Sequence, residues 1–283
     1  MKDNRRITMK ISVEIYTFAK HFGDERAVKM IKEAGFDAID LSYYYARDCE
    51  EITGDGYLTH VESMRRYLDK AGIVANQAHA PFRFGYGMTM DESEPTYRSI
   101  ARSIISAGML GASNIVVHSV NVPEGVNFED YNVEFYKSFI PYCEKYGICV
   151  AVENLFNRIR TPEELNRIVE RIGSPYIVAC VDVGHAALTG HKPEDFIAAM
   201  NPDILACLHV QDVDYKDDRH MLPFTESLDW TAIMTALKKK GYKGDLTLEI
   251  IKYLDQHPVE LLPDALAFSA KVAKHLRTVF ENA

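Results

Sequence analysis

The chain has 283 residues, 47% of them hydrophobic and 26% charged, and its 32 Lys and Arg against 41 Asp and Glu leave a net charge of −9. This is the composition of a folded globular protein, and the acidic balance disfavours a surface that neutralises a nucleic-acid backbone. No run of about 18 apolar residues provides a membrane span, and the basic N-terminal stretch lacks the apolar core of a secretory signal, so a cytoplasmic location is expected.

In chain order, short apolar runs alternate with longer helical patterns. KISVEIY (10–16) reads as a strand and DERAVKMIKEAG (24–35) as a helix; FDAIDLS (36–42) is followed by YLTHVESMRRYLDKAG (57–72). IVANQAH (73–79) precedes PTYRSIARSIISAGMLG (95–111), then come NIVVHS (114–119), ICVAVEN (148–154) and the helix TPEELNRIVERIG (161–173). YIVACVD (176–182), ILACLHV (204–210), DWTAIMTALKKKG (229–241), DLTLEI (245–250) and PVELLPDALAFSAKVAKHLRTVF (258–280) complete the series. Thr161, Pro162 and Glu164 form a helix-start signal, and Gly35, Gly72, Gly111, Gly173 and Gly241 fall where helices should end.

Eight strand–helix units with near-continuous apolar strands predict an α/β fold, a parallel (β/α)8 TIM barrel spanning residues 1–283 as one domain. The alternative, a doubly wound open sheet, calls for a phosphate-binding glycine turn after the first strand, and TFAKHFGDE (17–25) contains none. The five cysteines, Cys49, Cys143, Cys149, Cys180 and Cys207, show no metal-binding spacing; three lie in apolar strings and are expected to be buried, reduced thiols.

In such a barrel the chemistry belongs at the C-terminal ends of the strands. His79, His118, Glu153, Asp182, His209 and Glu249 end six successive strands, with His185 just beyond Asp182 and Asp218 and His220 in the loop after His209. The gaps of 39, 35, 29, 27 and 40 residues each correspond to one strand–helix unit. Any one of these residues alone could be a core histidine or a solvated acid. Their convergence points to a divalent cation, because several carboxylates buried together without one are costly. The oxygen-rich set with imidazole and no thiolate suits Mn, Zn, Co or Mg at the C-terminal mouth.

HAP (79–81), VVHS (116–119), VENL (152–155), VDVGHAALTG (181–190), LHVQD (208–212), DRHMLPFTESLDW (218–230) and GYKGDLTLEI (241–250), in this order, resemble the sugar phosphate isomerase/epimerase branch of the xylose-isomerase-like barrels, a superfamily that includes endonuclease IV. The resemblance spans nearly the whole chain. It implies one divalent metal ion held by Glu153, Asp182, His209 and Glu249, with Glu153 and Glu249 also acting as an acid/base pair on either side of a substrate carbon. It further implies that His185 and Arg219 hold substrate oxygens, and that His79, His118, Asp218 and His220 line the binding pocket. One glutamate would remove a proton next to a carbonyl polarised by the metal, and the other would return one to the opposite face.

The chain departs from the family where a glycine-flanked glutamate is usual: here PFTESLDW places Thr225 and Ser227 beside Glu226. No phosphate-binding loop is evident, so the expected partner is a small-molecule carbohydrate, phosphorylated or not, with Arg83 and Arg219 the candidates for an anionic group. A lyase or dehydratase acting on a keto-inositol, dehydroshikimate or a C-glycoside would share the first step. The nine His, Asp and Glu residues also match the trinuclear zinc set of endonuclease IV in type and order, but the loop 210–220 holds four Asp against one Lys and one Arg, which disfavours DNA. A non-catalytic sugar sensor is a third class, disfavoured by the intact carboxylate pair. Aromatic residues after the first three strands (Tyr16, Phe18, Tyr43, Tyr44, Tyr45, Phe82, Phe84, Tyr86) suit the C–H faces of a sugar. The Tyr43–Tyr45 run reads equally as a contact within a homo-oligomer.

Overall fold

The computed structural model describes residues 9–44, 46, 49–82 and 89–283. Among them eight parallel strands form the barrel: β1 (Ile11–Glu14), β2 (Ala38–Ser42), β3 (Val74–His79), β4 (Asn114–Val117), β5 (Cys149–Glu153), β6 (Ile177–Asp182), β7 (Leu205–His209) and β8 (Leu246–Leu248). Hydrogen-bonded neighbours follow chain order from β1 to β7, and β8 pairs with β1. The last seam closes through a single bridge between Val210 and Leu248: Val210 N donates to Thr247 O at 2.9 Å, and Glu249 N donates to Val210 O at 3.1 Å.

The expected TIM barrel is therefore present, and the strands are buried because helices cover the sheet outside and side chains fill it inside. Each strand is shorter than its apolar run. The runs extend past the strands by one or two residues at one or both ends, and those residues lie outside the strands. His118 thus lies one residue past β4 and Glu249 one past β8, both still at the mouth.

The helix Pro162–Ile172 shows how sequence dictates local structure. Thr161 Oγ1 accepts from Glu164 N at 3.2 Å while Glu164 Oε2 accepts from Thr161 N at 3.2 Å, completing a capping box. Leu165, Ile168, Val169 and Ile172 then fall on one face and are buried, each stabilising the fold by roughly 1.5–3 kcal/mol. Gly35, Gly72, Gly173 and Gly241 cap their helices as expected, whereas the helix Pro95–Met109 is capped by Leu110, one residue before Gly111.

The C-terminal pattern divides into a 3-10 turn, Val259–Leu261, and a helix, Leu262–Asn282. A short helix, Tyr16–Phe22, directly follows β1 and carries Phe18 into the core rather than toward the mouth. All five cysteines are free; Cys143, Cys180 and Cys207 are buried and Cys149 is half-buried. No helix among the described residues is long and apolar enough to cross a membrane.

Candidate active site

Glu153 and Asp182 are the last residues of β5 and β6, His209 is the last of β7, and Glu249 follows β8. Asp182 and His209 are register partners on adjacent strands. His209 Nδ1 lies 2.6 Å from Glu153 Oε1 and 3.3 Å from Glu249 Oε2. One donor atom from each of Glu153, Asp182, His209 and Glu249 falls within 4.8 Å of the other three, and all four residues are at most 3% exposed. Three carboxylates and one imidazole leave excess negative charge in a buried space, and this donor set fits a divalent cation of the hard-to-borderline class.

The electrostatics follow from that crowding. Burial disfavours a charged His209, but the Glu249 and Glu153 carboxylates hold its pKa well above the usual imidazole range. Glu153 is also resisted by burial, and the His209 and His118 imidazoles bring it well below the carboxylate range. Burial, opposed by His185 but reinforced by the charges of Glu153 and Glu249, pushes Asp182 up to about 6.

Two further groups adjoin this cluster. His118 Nε2 lies 2.7 Å from Glu153 Oε2 and 3.1 Å from His79 Nε2, which is itself 3.6 Å from Glu153 Oε2. His79 Nδ1 donates to Ala80 O at 2.8 Å, which orients the ring with Nε2 toward His118 and Glu153. Burial pushes His118 down to about 4. On the other side, His185, Asp218 and His220 offer donor atoms within 4.8 Å of one another. Asp218 is 3.7 Å from His185 Nε2 and 3.1 Å from His220 Nε2. Against the effect of burial, Asp182 and Asp218 raise His185 to about 10, while Glu249 and Asp218 raise His220 to about 9.

All nine metal-type residues expected from the sequence are thus brought together at one end of the barrel. Arg219 is not among them: its guanidinium is tied to Asp214 at 3.6 Å and Glu226 at 3.2 Å, forming rim salt bridges. The acidic loop presents fewer carboxylates at its surface than its sequence suggests, because Asp212 is fully buried. Its Oδ1 accepts from Val213 N and Leu228 N, and its Oδ2 from Glu226 N and Trp230 Nε1.

Tyr44 is buried and donates its hydroxyl to Glu249 Oε1; its ring stacks on Phe82 at 4.9 Å and lies 4.4 Å from His79. Tyr43 is buried away from the mouth against His60, which removes it from any exposed contact between copies. Tyr45, Arg83, Phe84 and Tyr86 lie outside the described residues.

The sequence reading missed several members of the site. Asn154 clasps β5 to β6, donating to Asp182 O at 2.9 Å and accepting from Asp182 N at 2.8 Å. Gln211 bridges Asp182 to the loop that follows His209. Phe156, 41% exposed, places its ring 5.5 Å from that of His185. Glu14 and Asp40 are buried register partners inside the barrel; burial pushes Glu14 up to about 8 and Asp40 to about 6. Their signal was an acid inside an apolar strand, ISVE and AIDLS.

Comparison with known proteins agrees with this architecture. An uncharacterized protein of Methanocaldococcus jannaschii is 29% identical over 238 residues, covering 79% of this chain and 78% of that protein. A D-tagatose 3-epimerase-like protein superposes with a TM-score of 0.72 at 21% identity, covering 97% of this chain and 99% of its own. The IOLI protein with a bound zinc atom superposes with a TM-score of 0.70 at 16% identity, covering 97% and 99%. Residues 28–272 match the family described as Xylose isomerase-like TIM barrel, and the chain belongs to that family.

Proposed function

We propose that the protein is a metal-dependent isomerase or epimerase of a sugar or sugar-like keto compound, working as a single domain in the cytoplasm. The observation that carries the reading is the buried cluster in which Glu153 and Glu249 flank His209 Nδ1 beside Asp182. The likeness to a sugar epimerase fold and to a zinc-holding relative supports it, and five free cysteines suit a reducing compartment.

Glu153, Asp182, His209 and Glu249 would hold the cation, which would supply Lewis-acid polarisation of the substrate carbonyl. Glu153 and Glu249 are then the acid/base pair: one takes the proton from the carbon beside the carbonyl, and the other delivers a proton to the opposite face. The Tyr44 hydroxyl holds Glu249 Oε1, leaving Oε2 toward His209 and His220. His79, His118, His185, Asp218 and His220 surround the pair as hydrogen-bonding groups for substrate hydroxyls, with Arg219 at the rim. Phe82 and Phe156 offer aromatic faces for sugar C–H groups.

The test is incubation with candidate ketoses and inososes in D2O. Deuterium should enter the carbon next to the carbonyl in the wild type and not in Glu249→Gln; unchanged exchange in that variant would overturn the assignment. Product identification separates isomerisation from elimination by a lyase. A zinc phosphodiesterase is the second reading, favoured by the donor groups His79–Glu153–His209 and His185–Asp218–His220. Metal content distinguishes them: about one ion per chain supports the isomerase, and three with cleavage of abasic DNA supports the nuclease.

A further inference from the structure

We propose that Gln211 is a positioning residue that joins the carboxylate cluster to the loop bearing Asp218, Arg219 and His220, so that loading the cluster with metal and ordering that loop are one event. The proposal rests on the metal-dependent reading above. Gln211 follows β7 two residues after His209 and is fully buried. Its Nε2 donates to Asp182 Oδ2 at 2.9 Å and to Asp218 Oδ1 at 3.3 Å, while its Oε1 accepts from His220 N at 2.9 Å. Both amide hydrogens and the carbonyl oxygen are therefore committed, one pair of bonds to the loop and one bond to the cluster.

At the cluster, the other oxygen of Asp182 accepts from His185 N at 2.7 Å. The carboxylate is thus gripped at both oxygens and its plane is set, with lone pairs left for a cation. At the loop, His220 holds the left-handed backbone conformation, φ 43°, which is uncommon for a residue with a side chain. Gln211 Oε1 on His220 N and Tyr253 N on His220 O, at 3.2 Å, anchor it there. The approach of the amide is close: a Cβ at Gly184 would meet Gln211 Cδ at 2.7 Å. Only a residue without a side chain at position 184 lets the amide lie against the turn that Asp182 begins.

If an amide holds Asp182 in the orientation the cation requires, removing it costs metal affinity although no ligand is lost; outer partners of metal ligands typically contribute about 10–100-fold. If the same amide also holds the loop, part of the loop's response to the metal should pass through Gln211, beside the contacts of His220 with Glu249 and of Asp218 with His185. Two measurements on metal-stripped protein test both halves: calorimetric titration with MnCl2, and hydrogen–deuterium exchange of residues 213–222 with and without saturating Mn. The wild type should bind Mn and show slowed exchange in the loop. Gln211→Leu should bind Mn about 10–100-fold more weakly and show less slowing at saturation than the wild type, while exchange in the barrel strands stays as in the wild type. Gly184→Ala, which keeps every ligand and the amide but displaces it, should shift affinity and loop response in the same direction, and serves if Gln211→Leu does not fold. Mn affinity within about two-fold of wild type, with the loop slowed by the metal as much as in the wild type, would overturn the proposal and leave the metal reading intact. A folded wild type that takes up no Mn would overturn both.

Discussion

Glu153 and Glu249 share a single nitrogen: His209 Nδ1 lies 2.6 Å from an oxygen of the first and 3.3 Å from an oxygen of the second. The imidazole that separates the two carboxylates also offsets part of their charge, so its removal should be felt most when no cation is bound. In the presence of chelator, His209→Asn is expected to lose about 3–5 kcal/mol of stability, read as a lower Tm. An unchanged Tm would show that the carboxylates do not depend on it.

Asp212 presents a different dependence. It accepts four hydrogen bonds while fully buried, one of them from Trp230, the only tryptophan in the chain. Asp212→Ala strands those donors, and a cost of about 3 kcal/mol is expected. Trp230 emission should shift to the red as the loop 213–229 loosens; emission and Tm equal to wild type would contradict this.

Glu14 gives a pH dependence with a definite sign. Burial first, then the charges of Glu249 and Asp40, raise its pKa from 4.5 to about 8, so the folded protein keeps it neutral where the unfolded chain ionises it. Its contribution is fully present below pH 4.5 and is lost as the pH rises toward 8, at up to about 1.4 kcal/mol per pH unit. Glu14→Gln should therefore match wild type in Tm near pH 4.5 and exceed it at pH 8 in metal-free protein. Parallel Tm curves across that range would refute the shift.

Phe156, 41% exposed at the mouth, contributes little to the core. Phe156→Ala should leave the stability within about 0.5 kcal/mol of wild type and raise KM for the substrate that passes the deuterium test, with kcat unchanged, as expected for binding shared by ground and transition states. A fall in kcat at constant KM would place Phe156 nearer the reacting atoms than the structure does.

The barrel and most of its polar mouth were legible in the sequence because both follow from periodicity. A strand–helix repeat gives the ring, and the ring makes residues 27 to 40 positions apart into neighbours. What was not legible depends on side-chain direction within the ring. Arg219 and His220 are adjacent in the chain, yet one pairs with Asp214 and Glu226 on the rim while the other faces Glu249. Tyr43 and Tyr44 likewise part company, toward His60 and toward Glu249. Gln211 and Asn154 escaped notice because neutral amides carry no chemistry of their own; their importance is in what they hold still. Asp212 carried a misleading signal, a formal charge counted on the surface that the fold has placed inside.

The thin seam between β7 and β8 has a kinetic consequence. Every other pair of neighbouring strands is joined by a ladder of several registered residues, whereas this pair is closed at Val210 and Leu248. His209 stands on one side of that closure and Glu249 on the other. Parting of the seam would pull the two away from each other, so on the metal-dependent reading proposed above the escape of an ion held between them would be coupled to a breathing motion of the barrel wall. Residence time at the centre would then be set by how often the wall opens, and it would shorten steeply on warming, as protein opening does.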